Sequence, residues 1–184
     1  MIYLEPYHFI SNYNKKELEK LDKKINIIYR NYKDPIKINT ILKIKNQCNK
    51  SGRKMFLSNN IELARRLKLN GAYIPSFNKS LNFKYKKSTN FQLLGSAHNL
   101  SEIKIKEKQG VDIIFLSPLF KVNKSNSFLG IYRFNIFSNY TKKKIVALGG
   151  INKKNIKKLK LLNCDGYASI TYLKQQQKIN DIRK

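Results

Sequence analysis

Short apolar runs recur along the chain, and most are followed by a segment whose apolar residues repeat at helical spacing. The strand-like runs cover residues 2–9, 25–30, 54–58, 71–74, 91–98, 111–116, 144–148 and 166–171. Helical spacing predicts helices over residues 15–21, 36–49, 61–69, 100–109, 132–140 and 155–162, with a short closing helix in the last dozen residues. The 36–49 segment illustrates the pattern, since Ile38, Ile41, Leu42 and Ile44 fall near one face.

Strands that alternate with helices predict a parallel sheet, because parallel neighbours need a crossover between them. Eight such units close into a (β/α)8 TIM barrel of the α/β class, and the pattern predicts one domain over residues 1–184. With 184 residues the barrel is compact. Residues 75–90 read as loop, so the helix between strands four and five is shortened or lost. An open doubly wound sheet ranks second, because no Gly-x-Gly-x-x-Gly follows the first strand.

Composition narrows the function classes. The hydrophobic share of 41% suits a packed core, and no apolar run approaches the length of a membrane span. The N-terminal run reads as a first strand and not as a signal peptide. Cys48 and Cys164 stand far apart and outside any Cys-x-x-Cys spacing, which predicts buried thiols in a reducing cytoplasm and no zinc site. The net charge of +27 would suit a polyanion, but the lysines are spread over every segment and form no stripe interleaved with stacking aromatics. A nucleic-acid partner is therefore not expected, whereas small phosphorylated anions are. Oligomeric state is not encoded in any pattern.

The scarce glycines carry the candidate chemistry. Gly149 and Gly150 end the seventh strand, and Gly166-x-Ala168 keeps the eighth slim. In a parallel barrel the loops after strands seven and eight often hold a phosphate, with glycine letting backbone N–H groups approach it. A following helix N-terminus would add partial positive charge, and Thr171 a hydroxyl donor. A tight strand-to-helix turn is the plainer reading of the same Gly-Gly pair.

The blocks AHNLSEI, DIIFLSPLF, LG at 129–130, IVALGGIN and DGYASI follow in order from about Ser96 onward. Together they resemble the thiamine-phosphate synthase and thiazole tautomerase superfamily, with IIYR, LSNNIELA and NGAYI continuing the likeness upstream. The resemblance implies a barrel that couples a pyrimidine methyl diphosphate to a thiazole phosphate, releasing diphosphate, with Mg2+ at the diphosphate. It implies that Arg30, Ser96 and Lys124 act in catalysis, that Gly149, Gly150 and Thr171 bind the thiazole phosphate, and that Asn59, Asn78 and Lys121 neighbour the diphosphate. Several positions depart from the family pattern, among them the family's Thr-x-Thr-Lys segment after strand six, which stands here as Val122, Asn123, Lys124 and Ser125. Tyr32 replaces a lysine, and Asn59 and Asn78 replace two metal-binding aspartates. Neutral amides make a weak Mg2+ site, and Lys79, Lys121 and Lys124 could neutralise diphosphate instead. Pro118 fills the place of the tautomerase histidine, which counts against that branch; His98 reads as a structural hydrogen-bonder. The readings, in order, are a synthase, a non-catalytic or regulatory phosphate binder, a tautomerase-like enzyme and a nucleic-acid-binding basic protein. Residues 121–128 are the candidate closing segment.

Overall fold

The computed structural model describes residues 4–82, 90–123, 127–170 and 172–173. Eight parallel strands close into a barrel in sequence order: β1 (Glu5–Ile10), β2 (Asn26–Tyr29), β3 (Met55–Ser58), β4 (Gly71–Ile74), β5 (Gln92–Ala97), β6 (Ile113–Leu116), β7 (Lys144–Leu148) and β8 (Gly166–Ser169). Closure is made by β8 against β1, with Glu5 opposite Gly166 and His8 opposite Ser169. A Cβ at Gly166 would stand 2.4 Å from the Glu5 carbonyl oxygen, so the closing seam itself demands glycine there.

Strand alternation produces two cores. Inside the barrel Tyr7, Phe9, Ile28, Phe56, Tyr73, Leu94, Ile113, Phe115, Val146 and Ala168 form one buried cluster. Phe115 sits at its centre, with its ring centroid 5.0 Å from Tyr7, 5.4 Å from Tyr73 and 6.2 Å from Phe9 in edge-on geometry, which aromatic quadrupoles favour. The other face of each strand supplies a second cluster, Ile27, Ile41, Ile44, Leu57, Leu93, Ile103, Ile114 and Phe134 among others, packed under the helices. Both faces of every strand are thus apolar, which is why the strands read as continuous runs.

The helices are α1 (Lys15–Lys20), α2 (Ile38–Lys50), α3 (Ile61–Arg66), α4 (Leu100–Lys108) and α5 (Gly130–Asn139). Asn14, Asn60 and Asn99 cap the first, third and fourth, each side-chain oxygen accepting from the N–H three residues on. The segment expected as a helix over 155–162 is instead a 3-10 helix, Ile156–Leu161. Its apolar residues Ile156, Leu159 and Leu162 recur at intervals of three, the period of a 3-10 helix. Between β4 and β5 the described residues carry no helix. Most of the expected closing helix lies outside the described residues.

Two buried cations stabilise this frame. Arg53 donates to the carbonyls of Leu18 and Leu21 at 2.8 and 2.6 Å, tying the end of α1 to the start of β3. Lys106 on α4 is fully buried, and its ammonium donates at 2.8 Å to Pro75 O, Asn78 O and Gln109 Oε1. Gln109 Nε2 adds bonds to Asn78 O and Ser80 O. The loop after β4 has no helix to satisfy its carbonyls, so Lys106 and Gln109 supply the donors to Asn78 O and Ser80 O, and Lys106 joins the Asn78 N–H at Pro75 O. Gly95 makes room for the lysine stem: a Cβ there would meet Lys106 Cδ at 2.9 Å. Burial pushes the Lys106 ammonium down to about 8, against the opposing pull of Glu102.

Candidate functional site

The carboxyl ends of the strands form one rim, and two groups of residues face the solvent there. The first is a cavity of about 390 Å³ where β7 meets β8, lined by Lys121, Asn123, Leu148, Gly149, Gly150, Asn152, Ser169 and Ile170, with their neighbours Val122, Ile151 and Ala168. Gly149 and Gly150 both have left-handed backbones, with φ of 99° and 69°. A Cβ on Gly149 would stand 2.9 Å from Pro118, and one on Gly150 would stand 2.6 Å from Phe120 O. The need for glycine is therefore met by packing against the loop after β6. The carbonyl oxygens are also spoken for: Gly149 O accepts from Phe120 N–H at 3.1 Å, and Gly150 O accepts from Asn155 Nδ2 at 2.9 Å.

Two sequence expectations about this cavity change. The helix expected to aim its N-terminus at the glycines is a six-residue 3-10 helix that starts only at Ile156. A single short 3-10 turn has no aligned macrodipole of helix length to contribute. Gly166 lies at the opposite end of β8, against Glu5, while Ala168, Ser169 and Ile170 line the cavity. The sequence missed Ser169, Ile170, Asn152 and Asn155; the signal was their position just past the strand-seven and strand-eight ends. Ser169 is held by both polar groups, its carbonyl against His8 Nδ1 at 2.8 Å and its Oγ accepting from Tyr172 N–H at 3.0 Å.

The second group comes from the ends of β2, β3 and β4. Arg30 lays its guanidinium over the Phe9 ring, with Cζ 4.6 Å from the centroid, at the top of the aromatic plug. Tyr32 donates to or accepts from Ser58 Oγ at 2.6 Å and meets Phe77 edge-on at 5.5 Å. Asn59, held in a left-handed conformation with φ 58°, accepts at Oδ1 from Asn78 Nδ2 at 2.7 Å. Asn78 Oδ1 in turn accepts from Ser80 N–H at 3.1 Å. The aromatic contact was not foreseen, although the sequence singles out Tyr32 and Phe77 adjoins Asn78.

The remaining candidates separate. Ser96 is buried inside the barrel on β5, and burial pushes the neighbouring Tyr73 hydroxyl up to about 12. Lys121 lines the glycine cavity and is exposed. Lys124 and Thr171 lie outside the described residues, as does part of the expected closing segment 121–128. His98 donates from Nδ1 to Ser117 O at 2.7 Å, which leaves Nε2 to accept from Ser76 Oγ at 3.0 Å. Both nitrogens tie neighbouring loops together.

A magnesium ion does not fit the residues at Asn59 and Asn78. Magnesium favours anionic oxygen, and here two neutral amides bond to each other. Among the described residues no three His, Cys, Asp or Glu side chains gather where a metal could bind, and no helix is long and apolar enough to cross a membrane.

The family model described as thiamine monophosphate synthase matches residues 14–173. A thiamine-phosphate synthase of Methanococcus vannielii is 27% identical over 119 residues, covering 63% of this chain and 57% of that protein. One from Lactococcus lactis is 25% identical over 154 residues, covering 82% of this chain and 70% of its own length. The chain thus spans little more than half of the Methanococcus relative. A thiamine phosphate pyrophosphorylase structure from Pyrococcus furiosus superposes with a TM-score of 0.75 at 16% identity, covering 95% of this chain and 92% of that one. The corresponding structure from Bacteroides thetaiotaomicron gives 0.61 at 16% identity, covering 99% and 100%. The structural likenesses concern the fold; the family match, across most of the chain, assigns it to the thiamine monophosphate synthase family.

Proposed function

We propose that this chain acts in thiamine biosynthesis as a thiamine-phosphate synthase, coupling a pyrimidine methyl diphosphate to a thiazole phosphate. The observation that carries the reading is the cavity at the β7–β8 rim, where Gly149 and Gly150 line the wall beside Lys121 and Asn123. Their carbonyls are held by Phe120 and Asn155, so the N–H edge of the turn is what it can offer an anion. In this reading Gly149, Gly150 and Thr171 hold the thiazole phosphate, and Arg30, Lys121 and Lys124 supply positive charge for the departing diphosphate.

The chemistry follows from placement. The bond from the pyrimidine methylene to the diphosphate oxygen breaks, the electron pair leaves with diphosphate, and the thiazole nitrogen donates its pair to the methylene carbon. The developing negative charge on the diphosphate needs fixed positive charge, which the Arg30 guanidinium at the rim supplies. The aromatic plug below Arg30 closes the barrel floor and keeps water from that side. Ser96, buried on β5 beneath the rim, acts as a positioning residue for the pyrimidine ring.

The test is an end-point assay with both substrates and the full chain, reading thiamine phosphate and released diphosphate in equal amounts. Formation of both supports the synthase. Binding of thiazole phosphate without any product would support instead a non-catalytic phosphate binder, the second reading, which the neutral Asn59–Asn78 pair favours.

A further inference from the structure

We propose that the rim carried by β2, β3 and β4 takes phosphate oxygens directly on protein donors, with no divalent cation between. The identity of the natural ligand rests on the synthase reading; the mode of binding does not.

Three observations carry it. The first is the direction of the amide chain. Ser80 N–H donates to Asn78 Oδ1 at 3.1 Å, which fixes Asn78 Nδ2 as the end that donates to Asn59 Oδ1 at 2.7 Å. Both side-chain oxygens are then occupied by N–H groups, and Asn59 Nδ2 is the end left over, a donor on an exposed residue. The second is the charge underneath. The Lys106 ammonium donates to the backbone oxygen of Asn78 itself at 2.8 Å, so a divalent cation on the Asn78 side chain would stand within one residue of a buried cation. The third is the missing anion. Segments 30–33, 58–61 and 75–82 hold no carboxylate. Next to them, Asp34 accepts from Asn31 Nδ2 at 2.9 Å, and Glu62 lies in the first turn of α3. Arg30, with its guanidinium over Phe9, has no carboxylate partner among the described residues.

An amide N–H donor, a guanidinium and the exposed Lys79 on one rim make a receptor for an oxyanion. The ligand class is a phosphate or diphosphate ester in its free, metal-less form. Two aspartates at Asn59 and Asn78 would repel that ion and require a metal to bridge them; the amide pair reverses this.

The experiment titrates inorganic pyrophosphate into the full chain by calorimetry, once in EDTA and once with excess Mg2+. We expect binding in EDTA at least as tight as with Mg2+, because complexation removes the free anion. Asn59→Leu, which leaves the net charge unchanged, should weaken binding in EDTA by about tenfold. The pair Asn59→Asp with Asn78→Asp should abolish binding in EDTA and restore it only with Mg2+. Wild-type binding that requires Mg2+, no pyrophosphate binding in either buffer, or an Asn59→Leu variant that binds unchanged would each overturn the proposal. Because this readout is binding, a negative product assay combined with metal-free pyrophosphate binding would sink the synthase reading and leave this one standing.

Discussion

Replacing Lys106 by methionine isolates the ammonium that holds the loop after β4. The unbranched stem and its packing under Gly95 are kept, while the three donors are removed. Gln109 Oε1 then loses its donor, while Pro75 O keeps the Asn78 N–H and Asn78 O keeps Gln109 Nε2. The orphaned Gln109 Oε1 alone costs about 1–3 kcal/mol. Against this stands the relief of a buried charge, worth about 3 kcal/mol from a value of about 8 against the ordinary lysine value. Hydrogen bonds to a charged group contribute about 1.5–3 kcal/mol each, so the three together outweigh that relief. The expected net loss is about 2–4 kcal/mol, a fall of about 5–15 °C in Tm by calorimetry. The pH dependence gives an independent sign. Unfolded Lys106 keeps its proton to the ordinary lysine value, whereas the folded one releases it near 8. The unfolded state therefore binds more protons across that window, and the stability of the wild type relative to the variant should rise as pH increases through it. A variant as stable as the wild type at neutral pH, or a stability gap that shrinks with rising pH, would refute the assignment of Lys106 as the anchor of this loop.

Other substitutions probe the barrel and the cavity. Phe115→Ala empties the centre of the aromatic plug and should cost about 3–5 kcal/mol in urea unfolding. Arg53→Met strips two buried carbonyls of their donor and should cost about 2–4 kcal/mol by the same measurement, with α1 first to lose amide protection. Gly150→Ala forces a Cβ to 2.6 Å from Phe120 O at a left-handed φ, and should lower stability by about 1–3 kcal/mol while abolishing the thermal shift given by thiazole phosphate. That shift should reach about 2.7 kcal/mol in the wild type at a hundredfold excess over Kd.

Much of the frame was legible in the residues. Strands such as Ile113–Leu116 are apolar on both faces because one faces the plug and the other the helices, and that leaves an unbroken run in sequence. Periodicity alone places the helix starts; the caps at Asn14, Asn60 and Asn99 emerge only from the structure, where each side-chain oxygen meets the N–H three residues on. The 3-10 segment was misread because Ile156, Leu159 and Leu162 fit a helical face loosely and a threefold period well. Lys106 looked like any surface lysine of α4; only the fold puts Gly95 and the loop carbonyls around it. At the rim, Gly149 and Gly150 were found, but the atoms that exclude a Cβ belong to Pro118 and Phe120, some thirty residues away along the chain and beyond the reach of local pattern. The Asn59–Asn78 bond joins two strands' ends and has no sequence signal of its own.

The central claim is that the turn after β7 receives a phosphate. A crystal structure of the full chain with thiazole phosphate tests it most directly. The account predicts phosphate oxygens at about 2.7–3.1 Å from the Gly149 or Gly150 amide nitrogens, inside the cavity shared with Ser169 and Ile170. A phosphate bound elsewhere on the rim, or a cavity that stays empty at saturating ligand, would contradict it.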